Sequence, residues 1–306
     1  MKGKIAVTPR SISRHGHPAL KALEEAGYAI VYPAPGKTPT ADDLKQSLPD
    51  CVGYLAGVEP ITADILSVCA QLKVISRNGV GIDNVDLVAA KAHGIAVEKA
   101  VGANSRGVAE LTIALMLAGL RHVPWSDRQI KANGWARREG IEVCGRTLGL
   151  IGCGQIGKYV AEMALGLGMI VRAYDLYPDR SFAPNGDFAY AALEQIFSEA
   201  DVISLHCPPG EKPLIDAATI SSLKRGAYLI NTARSALIDQ AAVLNALETG
   251  QLRGFATDVF DHEPPEVTPL LQHERVITTP HAGGLTEESI ERATETAVRN
   301  LLKVLA

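Results

Sequence analysis

The stretch that most restricts the fold begins at Leu148. An apolar run of strand length, Leu148-Gly149-Leu150-Ile151, enters the turn Gly152-Cys153-Gly154-Gln155-Ile156-Gly157, and a helical pattern of Ile156, Val160, Met163 and Leu167 leaves it. A second apolar run, Val171-Arg172-Ala173-Tyr174, ends on Asp175, about 20 residues past the turn. Strand, glycine turn, helix, strand and acid in this order make a dinucleotide-binding unit. Gly152 permits the tight turn, Gly154 lets the backbone approach a pyrophosphate, and Gly157 lets the helix press on the strand. The N–H groups at the helix start, Gln155, Ile156 and Gly157, face the phosphates. Asp175 accepts from ribose hydroxyls and repels a 2′-phosphate, which predicts NAD rather than NADP as cofactor. Leu176 and Tyr177 offer no cation to offset it, and Arg172 and Arg180 are the nearby positive charges.

The same alternation runs along the whole chain. Before the turn, strand-like runs at 4–8, 29–32, 51–56, 73–76 and 95–97 alternate with helical patterns at 18–26, 40–48, 62–70 and 84–93, the third opening on Thr62. After it, strand-like runs fall near 147–151, 170–174, 201–205, 227–231, 254–258 and 275–278. Such βαβα series predict an α/β protein with two doubly wound parallel sheets, each covered by helices on both faces. A chain of 306 residues has room for two cores, and 47% apolar with only 5% aromatic residues suits strands buried between helices. The segment 108–120 is apolar nearly all round, so its helix is expected at a domain or subunit boundary. A last helix, about 286–304, follows the second sheet.

Composition narrows the partners. A net charge of −4 gives no electrostatic reason to expect nucleic acid or an anionic membrane, and a small soluble ligand is the better expectation. Five dispersed cysteines without a Cys-x-x-Cys pair fit a reducing compartment, and no apolar stretch is long enough to cross a bilayer, so a cytoplasmic protein is expected.

Three charged residues stand at or just beyond strand ends, where ligands of open parallel sheets bind: Arg234 after 228–233, Glu263 after 257–262 and His281 after 276–280. Together they suffice for reduction of a ketone, with His as proton donor, Glu as its partner and Arg as a two-bond clamp on a carboxylate. His262 is a competitor for the proton-donor role, and His206 is read as ordering a loop. His15 and His17 lack a third ligand, so no metal is expected and a solvated loop is. Cys153 and Cys207 have nothing nearby to activate a thiol. Arg10, after the first strand, is left open between surface charge and a contact to a distal anion on the substrate.

These motifs resemble, over nearly the whole chain, the D-isomer-specific 2-hydroxyacid dehydrogenases, which include phosphoglycerate, glycerate, lactate and phosphite dehydrogenases. The resemblance rests on Arg77-Asn78-Gly79-Val80-Gly81-Ile82-Asp83-Asn84-Val85-Asp86, Val108-Ala109-Glu110, the glycine turn, His206-Cys207-Pro208, Asn231-Thr232-Ala233-Arg234, Asp258 to Pro264 and Pro280-His281-Ala282-Gly283-Gly284. It implies that Arg234, Glu263 and His281 are the catalytic trio. It implies that the N–H groups of Val80 and Gly81 hold the substrate carboxylate, with Asn78 and Asn104 at the substrate, and that His206, Cys207, Pro208, Thr232, Ala233, Asp258 and Gly283 line the NAD site. It also implies a Rossmann NAD-binding domain, 102–282, inserted in a smaller flavodoxin-like substrate domain, 1–101 and 283–306, and homodimers formed through the NAD-binding domain.

The chain departs from the pattern at three places. Ser235 stands where many members have Gly, and Ala56 stands where one phosphoglycerate branch has Arg, which speaks against a phosphorylated substrate. The chain also stops soon after the last helix, so a C-terminal regulatory domain is not expected. Other readings are an NAD(H)-sensing corepressor-like binding protein and a phosphite dehydrogenase; formate enzymes of this kind carry Gln at the place of Glu263.

Overall fold

The computed structural model describes residues 2–306 and divides into two units, 2–104 with 284–306, and 105–283. The first unit runs β1 (Gly3–Val7), α1 (Arg10–His15), α2 (Lys21–Glu25), β2 (Tyr28–Val31), α3 (Ala41–Ser47), β3 (Cys51–Ala56), α4 (Ala63–Leu66), β4 (Val74–Arg77), α5 (Leu87–Ala92) and β5 (Ala96–Lys99). Its five strands pair in parallel in the order β2-β1-β3-β4-β5, a flavodoxin-type winding that reverses between β1 and β3. Residues 8–10 and 57–59 therefore lie at its switch point.

The second unit runs α6 (Ser105–Leu120), α7 (Val123–Lys131), β6 (Thr147–Ile151), α8 (Gln155–Gly166), β7 (Ile170–Tyr174), β8 (Phe188–Tyr190), α9 (Leu193–Glu199), β9 (Val202–Leu205), α10 (Ala217–Ser222), β10 (Ala227–Asn231), α11 (Gln240–Glu248), β11 (Leu252–Thr257), α12 (Pro269–Gln272) and β12 (Val276–Thr278). All seven strands are parallel, in the order β12-β11-β10-β9-β6-β7-β8, with the reversal between β6 and β9. This is the doubly wound Rossmann arrangement with one strand added at the far edge. The chain then returns to the first unit with α13 (Glu287–Leu305).

Burial explains these elements. β9 and β10 are buried along their full length, as strands covered on both faces must be. In α13 the buried residues Ala293, Thr294, Ala297, Val298 and Leu301 form one stripe. Ala297, Val298 and Leu301 pack with Ile5, Val7, Leu55 and Val74, Ala293 packs with Ala100 and Ala103, and Gly53 lets the helix lie close to β3, since a Cβ there would sit 3.1 Å from Leu305 Cδ1. α3 starts on a reciprocal cap in which Thr40 and Asp43 satisfy each other's backbone N–H.

Several local expectations need correction. Residues 10–15 form helix α1, because Pro9 fixes the entry dihedral and Ile12 finds a buried site. His17 is no solvated loop residue: its ring caps the turn at Ala19 and bonds Glu291 at 3.0 Å, while His15 is the exposed end of α1. The helix expected over 62–70 is a single turn, 63–66, and Thr62 occupies its cap position without a side-chain bond. The apolar stripe read in α8 is offset from the face it buries, which is Gly157, Val160, Ala161 and Ala164; small residues face the sheet because the helix runs close to it. The short edge strand β8 has no counterpart among the expected strands.

Leu301 is 0% exposed in the cluster that joins α13 to β1, β3 and β4. Leu301→Ala is expected to lower the stability of the first unit by about 2–5 kcal/mol, read from urea unfolding. A loss below about 1 kcal/mol, the scale of a surface substitution, would mean that α13 is not part of this core.

Candidate active site

The glycine turn sits where the second sheet reverses direction. Gly152 has φ +97°, and a Cβ there would meet the backbone carbonyl carbon and oxygen of His206 at 2.6 Å, so only glycine fits between the ends of β6 and β9. A Cβ on Gly157 would run into the Gly152 carbonyl oxygen, whereas one on Gly154 would point into open space. Gly154 is also the N-cap of α8 and provides no side chain to cap it, so the first-turn N–H groups of Gln155, Ile156 and Gly157 have no partner in their own helix. Asp175 closes the turn from the side: Oδ2 accepts from Cys153 N at 2.7 Å and Oδ1 from Tyr177 N at 2.8 Å. A cradle of backbone donors with open space before it and a carboxylate at its edge fits a dinucleotide.

The loops around this cradle are fixed by buried polar groups. The His206 ring bonds Ser204 Oγ through Nε2 at 2.9 Å, and its Nδ1 is buried without a partner among the described residues. Burial pushes its pKa down to about 4, so the ring is neutral at neutral pH, in keeping with a loop-ordering role. Burial likewise raises the Cys153 and Cys207 thiols, which stay protonated. Pro208 is exposed. Asn231, fully buried at the end of β10, accepts from Ala233 N and donates to the Arg234 carbonyl, bracketing the turn that presents Arg234. Thr232 is buried and bonds Thr112 at 2.9 Å, and Ser105 on α6 bonds Gln155 at 3.3 Å.

His281 and Glu263 are brought together in the second unit. His281 Nδ1 lies 2.8 and 2.9 Å from the two oxygens of Glu263, leaving Nε2 as the outward nitrogen. His281 has φ +50°, a left-handed conformation that few residues other than glycine adopt and that the surrounding structure must enforce. The enforcing group is Asp258, 2% exposed, whose carboxylate accepts from Thr279 Oγ1 at 2.6 Å, Ala282 N at 2.7 Å and Gly283 N at 2.9 Å. Gln240 on α11 holds Asp261 at 2.6 Å, and Phe260 N donates to Glu263, which steadies the other half of the pair. Arg234 Nη1 donates to the Ala233 carbonyl at 2.7 Å. His262 is exposed, and the contact to Glu263 is made by His281.

In the first unit, Val80 and Gly81 lie in the turn after β4, and their N–H groups donate to no group among the described residues. That turn is held from below. Arg77 donates to the Asn78 carbonyl and to Asn84 Oδ1, and Asn84 donates to the Glu59 carbonyl at 2.7 Å. Glu59 itself is buried and accepts from Thr8, from Tyr54 and from Gly57 N. Asn78 Oδ1 accepts from Thr294 at 3.5 Å, and Asn104 Oδ1 is buried without a partner among the described residues. Arg10 is exposed at the first position of α1.

Sequence reasoning does not single out Asn231, Glu59, Arg77 or Asn84 as positioning residues. Three of them lie inside motifs already noted, but their task is visible only from hydrogen bonds. Glu59 carries no sequence signal, since a carboxylate in a loop reads as solvated.

Residues 113–283 match the NAD binding domain of D-isomer specific 2-hydroxyacid dehydrogenases. The D-3-phosphoglycerate dehydrogenase of Methanocaldococcus jannaschii is 38% identical over 292 residues, covering 94% of this chain and 55% of that protein. The TT0316 protein of Thermus thermophilus superposes with a TM-score of 0.88 at 35% identity, covering 99% of this chain and 96% of that one. D-lactate dehydrogenase from Aquifex aeolicus, solved with NAD and lactic acid, superposes with a TM-score of 0.81 at 30% identity, covering 97% and 94%. The chain belongs to the D-isomer specific 2-hydroxyacid dehydrogenase family, and its second unit is the family's NAD-binding domain. It spans about half the length of the curated relatives it matches.

His206 supplies a pH test of this loop. An unfolded imidazole protonates near its ordinary value of about 6.5, and the folded ring only near about 4. As pH falls below the upper value, the unfolded chain gains a proton that the folded one refuses, so stability present at pH 7 is lost on the way to pH 4, by on the order of 3 kcal/mol. His206→Gln should flatten that part of the profile in urea unfolding at pH 7 and pH 5. Equal losses in parent and variant would mean that the imidazole is solvated.

Proposed function

We propose that the chain is an NAD-dependent D-2-hydroxyacid dehydrogenase acting on a small 2-oxo or 2-hydroxy acid of hydroxypyruvate or glyoxylate size. The observation that carries this reading is the His281 ring held by both oxygens of Glu263, in the same unit as the NAD turn. NADH supplies the reducing equivalent, and the chain's own residues do the rest. His281 Nε2 gives a proton to the substrate's carbonyl oxygen in reduction and takes it back in oxidation, while Glu263 on Nδ1 fixes the ring's orientation. Arg234 orients the substrate through paired hydrogen bonds to carboxylate and carbonyl oxygen. The N–H groups of Val80 and Gly81 hold the carboxylate, with Asn78 and Asn104 beside it, and Gln155, Ile156, Asp175, Thr232, Ala233, Asp258 and Gly283 belong to the NAD site.

Substrate size is argued from one position. Ala56, the last residue of β3, is fully buried, so nothing there can pair with a distal phosphate, whereas Arg10 is exposed at the switch point of the same sheet. We also infer a homodimer through the NAD-binding unit, supported by Leu111, Ile113 and Leu117, only partly buried along α6, and by exposed Val123, Ile130 and Trp135. Five unpaired cysteines support a reducing compartment such as the cytoplasm.

Reduction of a panel of 2-oxo acids by NADH tests the activity. Glyoxylate or hydroxypyruvate is expected to exceed 3-phosphohydroxypyruvate in kcat/KM by about 10- to 100-fold, the value of one hydrogen bond to a charged group. A preference for the phosphorylated acid that Arg10→Ala abolishes would assign Arg10 to the distal anion; one that survives Arg10→Ala overturns the argument from Ala56. Arg234→Lys is expected to lower kcat and raise KM for the 2-oxo acid, because a lysine ammonium cannot copy the paired bonds. If the variant instead loses NADH binding, Arg234 belongs to the cofactor.

A further inference from the structure

Two cations on the elements that flank Asp175, Lys158 on α8 and Arg172 on β7, each have their own carboxylate. Lys158, the residue after Gly157, places Nζ 2.5 Å from Asp179 Oδ2 and 5.3 Å from the centre of the Phe182 ring. The other oxygen of Asp179 accepts from Ser181 N at 2.9 Å and Ser181 Oγ at 2.6 Å, which directs the carboxylate toward Lys158. Phe182 packs edge-on against Phe188, and Phe188 against Tyr190, which ties this loop to the edge strand β8. Lys158 and Ser181 hold the Asp179 carboxyl well below the usual carboxylate range, so it is charged throughout the working range of pH. Arg172, the other cation, lies 2.9 Å from Asp187 Oδ1 and also donates to the Val171 carbonyl.

Lys158 stands one residue past the turn that Asp175 pins through Cys153 N, and its partner Asp179 lies in the loop that follows Asp175. Asp175 is the group read as binding the ribose hydroxyls, so Lys158 is a cation on the cofactor helix within electrostatic reach of the place a 2′-phosphate would occupy. A free ammonium there would offset Asp175 and welcome the phosphate. Asp179 prevents this, leaving one more carboxylate than ammonium around the ribose.

We propose that Asp179, by sequestering the Lys158 ammonium, is a specificity-determining residue for NAD over NADP. This rests on the NAD reading of the glycine turn and adds to it: repulsion by Asp175 is then only half of the discrimination.

The test is calorimetric binding of ADP and of 2′,5′-ADP to the full chain, which needs no turnover. Asp179→Asn keeps an acceptor for Ser181 but removes the charge that balances Lys158. The ratio of the Kd for 2′,5′-ADP to the Kd for ADP is expected to fall by about tenfold or more, and adding Lys158→Gln should restore it. Asp179→Ser should give the same direction if the Asn variant does not fold. An unmoved ratio, or the same fall in the presence of Lys158→Gln, overturns the proposal, the latter by showing that the charge of Asp179 acts directly and not through Lys158. A parent that binds neither ADP nor NADH overturns the NAD reading along with it, whereas a parent that binds both, with variants that do not shift the ratio, overturns this inference alone.

Discussion

The candidate site depends on one buried carboxylate. The His281–Glu263 pair is itself half-exposed, with side-chain exposures of 51% and 41%, and such pairs contribute only about 0–1 kcal/mol to their own order. The geometry that a proton transfer needs must therefore be imposed from beneath. Asp258 does this. A carboxylate taken out of water is costly unless its acceptor sites are filled, and all three donors that fill them come from the five residues that contain His281. The desolvation cost of Asp258 is thus what ties the end of β12 to the end of β11, and the left-handed backbone of His281 follows from it.

The cofactor turn follows a different rule, because its donors are backbone groups that every residue except proline carries. What the sequence controls there is clearance: Gly152 and Gly157 remove the Cβ atoms that would collide with residue 206 and with the turn itself, and Asp175 then pins the Cys153 N–H. The first unit repeats this logic with polar side chains. Arg77 and Asn84 are committed to backbone carbonyls, and the N–H groups of Val80 and Gly81 donate to no group among the described residues.

Much of this architecture is legible in the sequence. The twelve parallel strands follow from hydrophobic runs punctuated by glycine, and eleven of them lie close to where those runs place them; the missing one, β8, is three residues long and not fully buried, too short for a pattern. Arg234, Glu263 and His281 stand out because each is a charge just after an apolar run. Glu59 does not, since nothing local says that a loop carboxylate will be closed over by Thr8 and Tyr54, which come from other strands or their ends. The stripe of α8 misleads for a related reason: a helix that presses on glycine turns buries its smallest side chains, and hydrophobicity alone ranks the large ones first.

The first unit is made of two stretches of chain separated by the whole second unit, and this has a consequence for its synthesis. β1 to β5 leave the ribosome long before α13, whose Ala297, Val298 and Leu301 close the core beside Ile5, Val7, Leu55 and Val74. At about 5–20 residues per second the wait is roughly 10–40 s. During it the second unit, continuous in sequence, can complete its own sheet, while one face of the first stays uncovered. A nascent chain of this design is most exposed to sticking and to chaperones in its N-terminal third, although that part is made first.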